Sequence, residues 1–138
     1  MRGESTDPAP NRGNGREGMM AVIRVVANIA TPDVGKARAF YEDLLGMRVV
    51  MDHGWIVTFA AEGSARPQVS VAREGGSGTA VPDLSIEVDD LDAVHRRALA
   101  QGLAIEYGPV REPWGVRRFY LRDPFGRLIN ILVHDAGG

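Results

Sequence analysis

Residues 23–46, IRVVANIATPDVGKARAFYEDLLG, decide the fold, because the chain restates their plan at 84–102, LSIEVDDLDAVHRRALAQG. Each stretch is an apolar strand closed by an Asp (Asp33 or Asp90), then a short amphipathic helix, then a Gly (Gly46 or Gly102). Asp and Gly lie 13 positions apart in the first copy and 12 in the second, and the copies are offset by 57 positions. Self-similarity on this scale marks a repeated supersecondary unit. It predicts a pseudo-twofold domain with its site between the halves.

Working outward, 21–30 reads as a buried strand, and Val34, Ala37, Phe40, Tyr41 and Leu44 recur at helical spacing with Asp33 as N-cap and Gly46 as stop. Strands are expected at 47–52, 55–61 and 67–73, and the stretch Glu74–Ala80 (EGGSGTA) has the composition of a flexible linker. The second half repeats the order. A strand at 83–88 leads to Asp90 as N-cap and a helix with Leu91, Val94 and Ala98 on one face, then strands near 103–107, 117–122 and 128–134. Each half is therefore βαβββ, with modules at about 21–73 and 81–134 in a domain spanning 21–138 of α+β class. Residues 1–20 carry almost no apolar side chains, so a disordered tail is expected there, with Met19 or Met20 as a possible true start.

Composition narrows the chemistry. A net charge of -2 leaves no basic excess for nucleic acid, so no nucleic-acid partner is expected. No window reaches the roughly 18 consecutive apolar residues of a membrane helix, and no signal peptide is visible, so a soluble cytoplasmic protein without membrane contact is expected. The absence of cysteine removes disulfides, thiolate nucleophiles and Cys-ligated metals. Lysine occurs once, at Lys36, against 15 arginines, a bias that suggests a GC-rich bacterial genome.

The stretches TPDVGKARAFYEDLLGM (31–47), VDDLDAVHRRALAQGL (88–103) and RRFYLRDPFGRLINIL (117–132) resemble the vicinal oxygen chelate superfamily of glyoxalase I, fosfomycin-resistance enzymes, extradiol dioxygenases and bleomycin-resistance proteins. The resemblance implies two modules that curl their sheets into one open trough holding the ligand or metal, with helices outside, and a homodimer. Metal-dependent members carry ligands on the first, fourth, fifth and last strands. Carried over, these positions fall on Val26, Ser70, Asp83 and Asn130. One strong ligand, Asp83, is too few for a catalytic divalent ion. No metal and no cofactor are therefore expected, and His53, His95 and His134 read as surface histidines.

Strand alternation assigns the trough face. Arg24, Val26 and Asn28 face inward on the first strand, Asp83, Ser85 and Glu87 on the fifth, Arg118 and Tyr120 on the seventh, and Asn130 on the last. Trp55 and Trp114 are the aromatics placed to stack on a ligand, and both have an equal reading as packing residues. Asp83 reads as a general base or as an ion-pair partner of Arg24 or Arg118. Tyr120, three residues before the DPFG Asp as in the fosfomycin enzymes, reads as an active-site Tyr or as a sheet-filling aromatic.

The leading expectation is a metal-independent binding protein that sequesters a small aromatic or planar organic ligand. The alternatives are an isomerase, epimerase or lyase with Asp83 or Glu87 as base, with Tyr120 as a further catalytic candidate and Arg118 steadying an oxyanion, and a metal-dependent enzyme with unusual ligands.

Overall fold

The computed structural model describes residues 21–63 and 67–135, so the expected tail at 1–20 lies outside the described residues. Eight strands form one mixed sheet: β1 Val22–Ala30, β2 Arg48–Asp52, β3 Ile56–Ala60, β4 Gln68–Ala72, β5 Leu84–Val88, β6 Ile105–Glu112, β7 Val116–Arg122 and β8 Leu128–His134. Their order is β2-β3-β4-β1-β5-β8-β7-β6, so the two modules present the same strand order in mirror sequence. Within each module the first strand runs parallel to the last, β1 with β4 and β5 with β8, and β1 meets β5 antiparallel at the seam. The expected strand positions hold to within a residue or two, with one exception. β6 runs on through Gly108 and Pro109 to Glu112, which an edge strand permits because the missing proline N–H faces no partner.

The second helix forms as expected. α1, Leu91–Ala100, is capped by Asp90, whose Oδ1 accepts from Ala93 N at 3.0 Å. Its buried Leu91 and Ala98 join Val88, Phe119, Leu121, Ile129 and Ile131 in one core cluster.

The first helix departs from expectation. A short 3₁₀ turn at Val34–Lys36 passes into a wide π-type segment at Arg38–Leu44, and the Asp33 side chain caps nothing. The wider turn advances fewer degrees per residue than an α-helix, so the apolar stripe slips off the core. Val34 and Ala37 stay buried with Val57, Phe59 and Val71, while Phe40 and Leu44 are exposed.

β1 is the second correction. Alternation holds, but only Val26 is buried, and the opposite face leaves Ile23 59% and Val25 51% exposed. The reason is architectural: each helical element packs on its own module's strands, and neither core cluster includes the outer face of β1.

The linker is the third. Glu74–Ala80 is clamped rather than loose. Gly75 N donates to Thr79 O at 2.7 Å, and a Cβ on Gly75 would stand 2.0 Å from Ala80 O and 2.5 Å from the Tyr120 hydroxyl. A Cβ on Gly76, whose φ is +90°, would stand 2.5 Å from the Trp114 ring. Glycine is demanded here by close approach, so the composition that reads as flexibility serves tight packing.

Candidate functional site

The inner face of the sheet carries one row of polar side chains across six strands. Backbone register pairs Thr58 with Ser70, Ser70 with Asn28, Ser85 with Asn130, and Asn130 with Tyr120. Register also sets Val26 opposite Ser85, so Asn28, two residues on, shares that face. Thr58 and Ser70 are buried and their hydroxyls lie 2.7 Å apart. Asn28 Nδ2 and Asn130 Nδ2 both donate to Ser85 Oγ, at 3.0 and 3.1 Å.

Above this row lies an open cavity of about 370 Å³. Its walls include Val26, Met51, Ile56, Val116 and Leu132, and Trp55 and Trp114 meet edge to face at 5.2 Å on one side. Both tryptophans sit in turns, Trp55 just before β3 rather than on it and Trp114 between β6 and β7, so the turns aim them. On the rim, Glu87 Oε1 lies 3.1 Å from Arg24 Nε, and Glu87 Oε2 lies 2.9 Å from His134 Nδ1.

The structure gathers Arg24, Val26, Asn28, Trp55, Ser70, Trp114, Arg118 and Asn130 around the cavity. Three of the candidates, Asp83, Glu87 and Tyr120, lie outside the cavity lining, Glu87 on the rim beside Arg24 and His134. Asp83 is exposed in a bend before β5, and its Oδ2 accepts from Leu128 N at 2.9 Å, holding the two strand starts together. The inward position opposite Asn130 is Ser85. Asp83 thus pairs with neither Arg24 nor Arg118. Tyr120 is buried outside the cavity lining, with its hydroxyl 2.9 Å from Thr79 Oγ1 and 3.1 Å from Ala80 O.

Arg118 is also committed. It is 3% exposed, and its Nε donates to Glu112 Oε2 at 2.8 Å. Nη1 donates to Gly75 O and to the Tyr120 hydroxyl, both at 2.9 Å, while Nη2 reaches Gly76 O at 3.2 Å and Thr79 Oγ1 at 3.4 Å. A guanidinium has five N–H donors and all five are placed, so none remains for an oxyanion. Its flat group also lies over the Tyr107, Trp114 and Tyr120 rings at 5.3, 5.1 and 4.9 Å.

Glu112 completes this clamp. It accepts from Ser77 Oγ and the Tyr107 hydroxyl, each at 2.7 Å. Burial pushes its carboxyl up, but the hydrogen bonds from Ser77, Tyr107 and Arg118 outweigh that and hold it below the usual carboxylate value. Burial and the bond to Glu112 push the Tyr107 hydroxyl up. The clamp fixes the linker, and through it the backs of both tryptophans.

Thr58, His134, Ser85 and His53 are among the lining residues that sequence reasoning misses in part or whole. Thr58 follows from alternation in IVTFA, where Val57 and Phe59 take the core side. His134 follows by counting two on from Leu132 along β8. Ser85 shares the inward face with Asp83 and Glu87, whose carboxylates are the stronger chemical signal in the sequence. His53 lines the cavity from the turn before β3, stacked on Trp55 at 6.2 Å, and no periodicity reports a turn residue.

The positions that the superfamily resemblance assigns to metal ligands are Val26, Ser70, Asp83 and Asn130, and the one carboxylate among them, Asp83, is exposed and engaged by Leu128 N. An aliphatic side chain, a hydroxyl, an amide and one engaged carboxylate do not supply the three imidazole or carboxylate donors that a catalytic divalent ion needs. Among the described residues no group of three or more His, Asp or Glu is arranged to hold one. The donor set does not fit a metal.

The family model described as Glyoxalase/Bleomycin resistance protein/Dioxygenase superfamily matches residues 22–131. An anthracycline biosynthesis protein, DauV of Streptomyces sp. (strain C5), is 33% identical over 113 residues; the match covers 75% of this chain but only 38% of that relative's length. Methylmalonyl-CoA epimerase from Mycobacterium tuberculosis is 26% identical, with a TM-score of 0.55 over 84% of this chain and 89% of that one. A superfamily member from Vibrio splendidus 12B01 shares the fold at 18% identity, with a TM-score of 0.55 over 82% of this chain and 99% of that one. With its paired modules, single curled sheet and inward polar row, the chain belongs to the glyoxalase/bleomycin resistance protein/dioxygenase superfamily.

Proposed function

We propose that the protein binds a planar, uncharged small organic molecule in the trough, without a metal. The observation that carries this reading is the cavity itself, an apolar concavity with a tryptophan pair on one wall and a neutral polar floor. The likeness to an anthracycline biosynthesis protein supports a flat polycyclic ligand. Titrating tryptophan emission with naphthol and hydroxyanthraquinone tests it. Saturable quenching is expected, lost in Trp114→Ala while circular dichroism stays native. No saturable response to any planar aromatic in a folded protein would end this reading.

A second reading is favoured by one contact. His134 lines the cavity with Nδ1 held by Glu87, which leaves the other ring nitrogen available as a base for proton abstraction. The likeness to methylmalonyl-CoA epimerase gives the probe. Deuterium uptake into methylmalonyl-CoA in heavy water, abolished in His134→Ala, would favour it over simple binding; the absence of uptake would count against it.

The uncovered outer face of β1, with Ile23 and Val25 more than half exposed, supports a homodimer through that face. Light scattering should give about twice the 14.9 kDa chain mass. A mass that stays at one chain at all concentrations would refute it.

A further inference from the structure

Asn130 is 7% exposed, lines the cavity, and its Oδ1 has no hydrogen-bond partner. A buried polar atom left unpaired is costly, and proteins seldom keep one without a use. The neighbours do not resolve it. Ser85 Oγ already receives both the Asn28 and the Asn130 amide N–H groups, so its own hydrogen goes to neither amide. Turning the Asn130 amide over would pair its oxygen with that hydrogen and leave the nitrogen unpaired instead. In either orientation the floor wants one more group.

From this geometry we infer that the trough selects ligands bearing a neutral hydroxyl, phenolic or enolic, seated between Asn130 and Ser85. A hydroxyl both donates and accepts: with the amide as placed it gives its hydrogen to Oδ1 and takes the one from Ser85, and with the amide turned over it accepts from Nδ2. An ionised ligand finds no free countercharge at this floor. Arg118 has placed all its donors, and the Arg24 guanidinium, whose Nε makes no hydrogen bond, has its charge balanced by the Glu87 carboxylate 3.1 Å away on the rim. The tryptophan pair lies on the wall above, so the hydroxyl belongs to a flat ring system. This inference rests on the proposed binding of planar molecules and adds the group that is recognised.

The test compares naphthol with its methyl ether, and hydroxyanthraquinone with its methyl ether, by quenching of tryptophan emission. The phenols are expected to bind at least about tenfold more tightly than the ethers, because the ether has no hydrogen to give and adds a methyl group. In Asn130→Leu that preference should collapse to less than about threefold. The melting temperature should fall by no more than a few degrees, because the lost Nδ2–Ser85 bond is offset by removal of the unpaired Oδ1 and Ser85 keeps its bond from Asn28. Should Asn130→Leu fail to fold, Ser85→Ala removes the second half of the pair and should cut the preference in the same way. Equal affinity for phenol and ether in the unaltered protein, or a preference untouched by the variants, would overturn the inference while leaving planar binding intact. If neither phenol nor ether binds, the reading of the trough falls first and this inference with it.

Discussion

The two modules share a plan and differ in how they are held. The second has a regular helix with a working Asp90 cap and, beneath the tryptophans, a buried Arg118–Glu112 pair tied into the linker. The first has a π-type segment without a side-chain cap, exposed Phe40, Leu44 and Leu45, and at its inner face a Thr58–Ser70 hydroxyl pair and an Arg24–Gln68 hydrogen bond. One half thus frames the trough. The other half, lacking any buried ion pair among the described residues, can diverge at lower cost, because neutral hydrogen bonds contribute less than a buried charge that must stay paired.

The largest break in that comparison is Arg118→Met. It leaves Glu112 buried without its cation, and such losses run to about 3–5 kcal/mol. Chemical denaturation of this variant beside Thr58→Val, where about 1 kcal/mol is expected, checks the asymmetry. Equal losses would mean that the modules are held alike.

A smaller effect follows from pH. Glu112 is depressed in the folded state, so its contribution is complete above the ordinary carboxylate value and is lost as pH falls through the folded value. Tyr107 is raised, so its contribution is complete below the ordinary phenol value and is lost as pH rises through the folded one. Glu112→Gln should flatten the acid limb of the stability curve and Tyr107→Phe the alkaline limb. Melting temperatures measured across pH would show this, and unchanged limbs in both variants would remove the clamp from the account.

The smallest effect sharpens the helix contrast. Asp90→Ala should cost about 1 kcal/mol through the lost bond to Ala93 N, whereas Asp33→Ala should cost almost nothing. Asp33 has only an exposed ion pair with Lys36 at 3.9 Å, of a kind that contributes little. Equal costs would show that the two Asp residues act alike after all.

The repeat, the strand positions and most inward-facing residues were legible in the chain, because period-two alternation and Asp–Gly punctuation are local properties. Asn28 and Asn130 are placed inward by those alone, and Ser70 by the family resemblance. What the chain could not disclose is where side chains spend their hydrogen bonds. Asp83 and Ser85 are two residues apart, and only the pairing of β5 with β8 puts Ser85 opposite Asn130 and sends the Asp83 carboxylate to Leu128 N. Arg118 and Tyr120 faced the right way on β7, yet the linker, 39 to 43 positions earlier in the chain, takes their polar atoms. The glycines of that linker read as slack until the tryptophan and Tyr120 rings are set against them. Periodicity reports which face a residue shares with its sequence neighbours; its partners across the sheet, and so its chemistry, are fixed by contacts between distant segments that only the tertiary structure brings together.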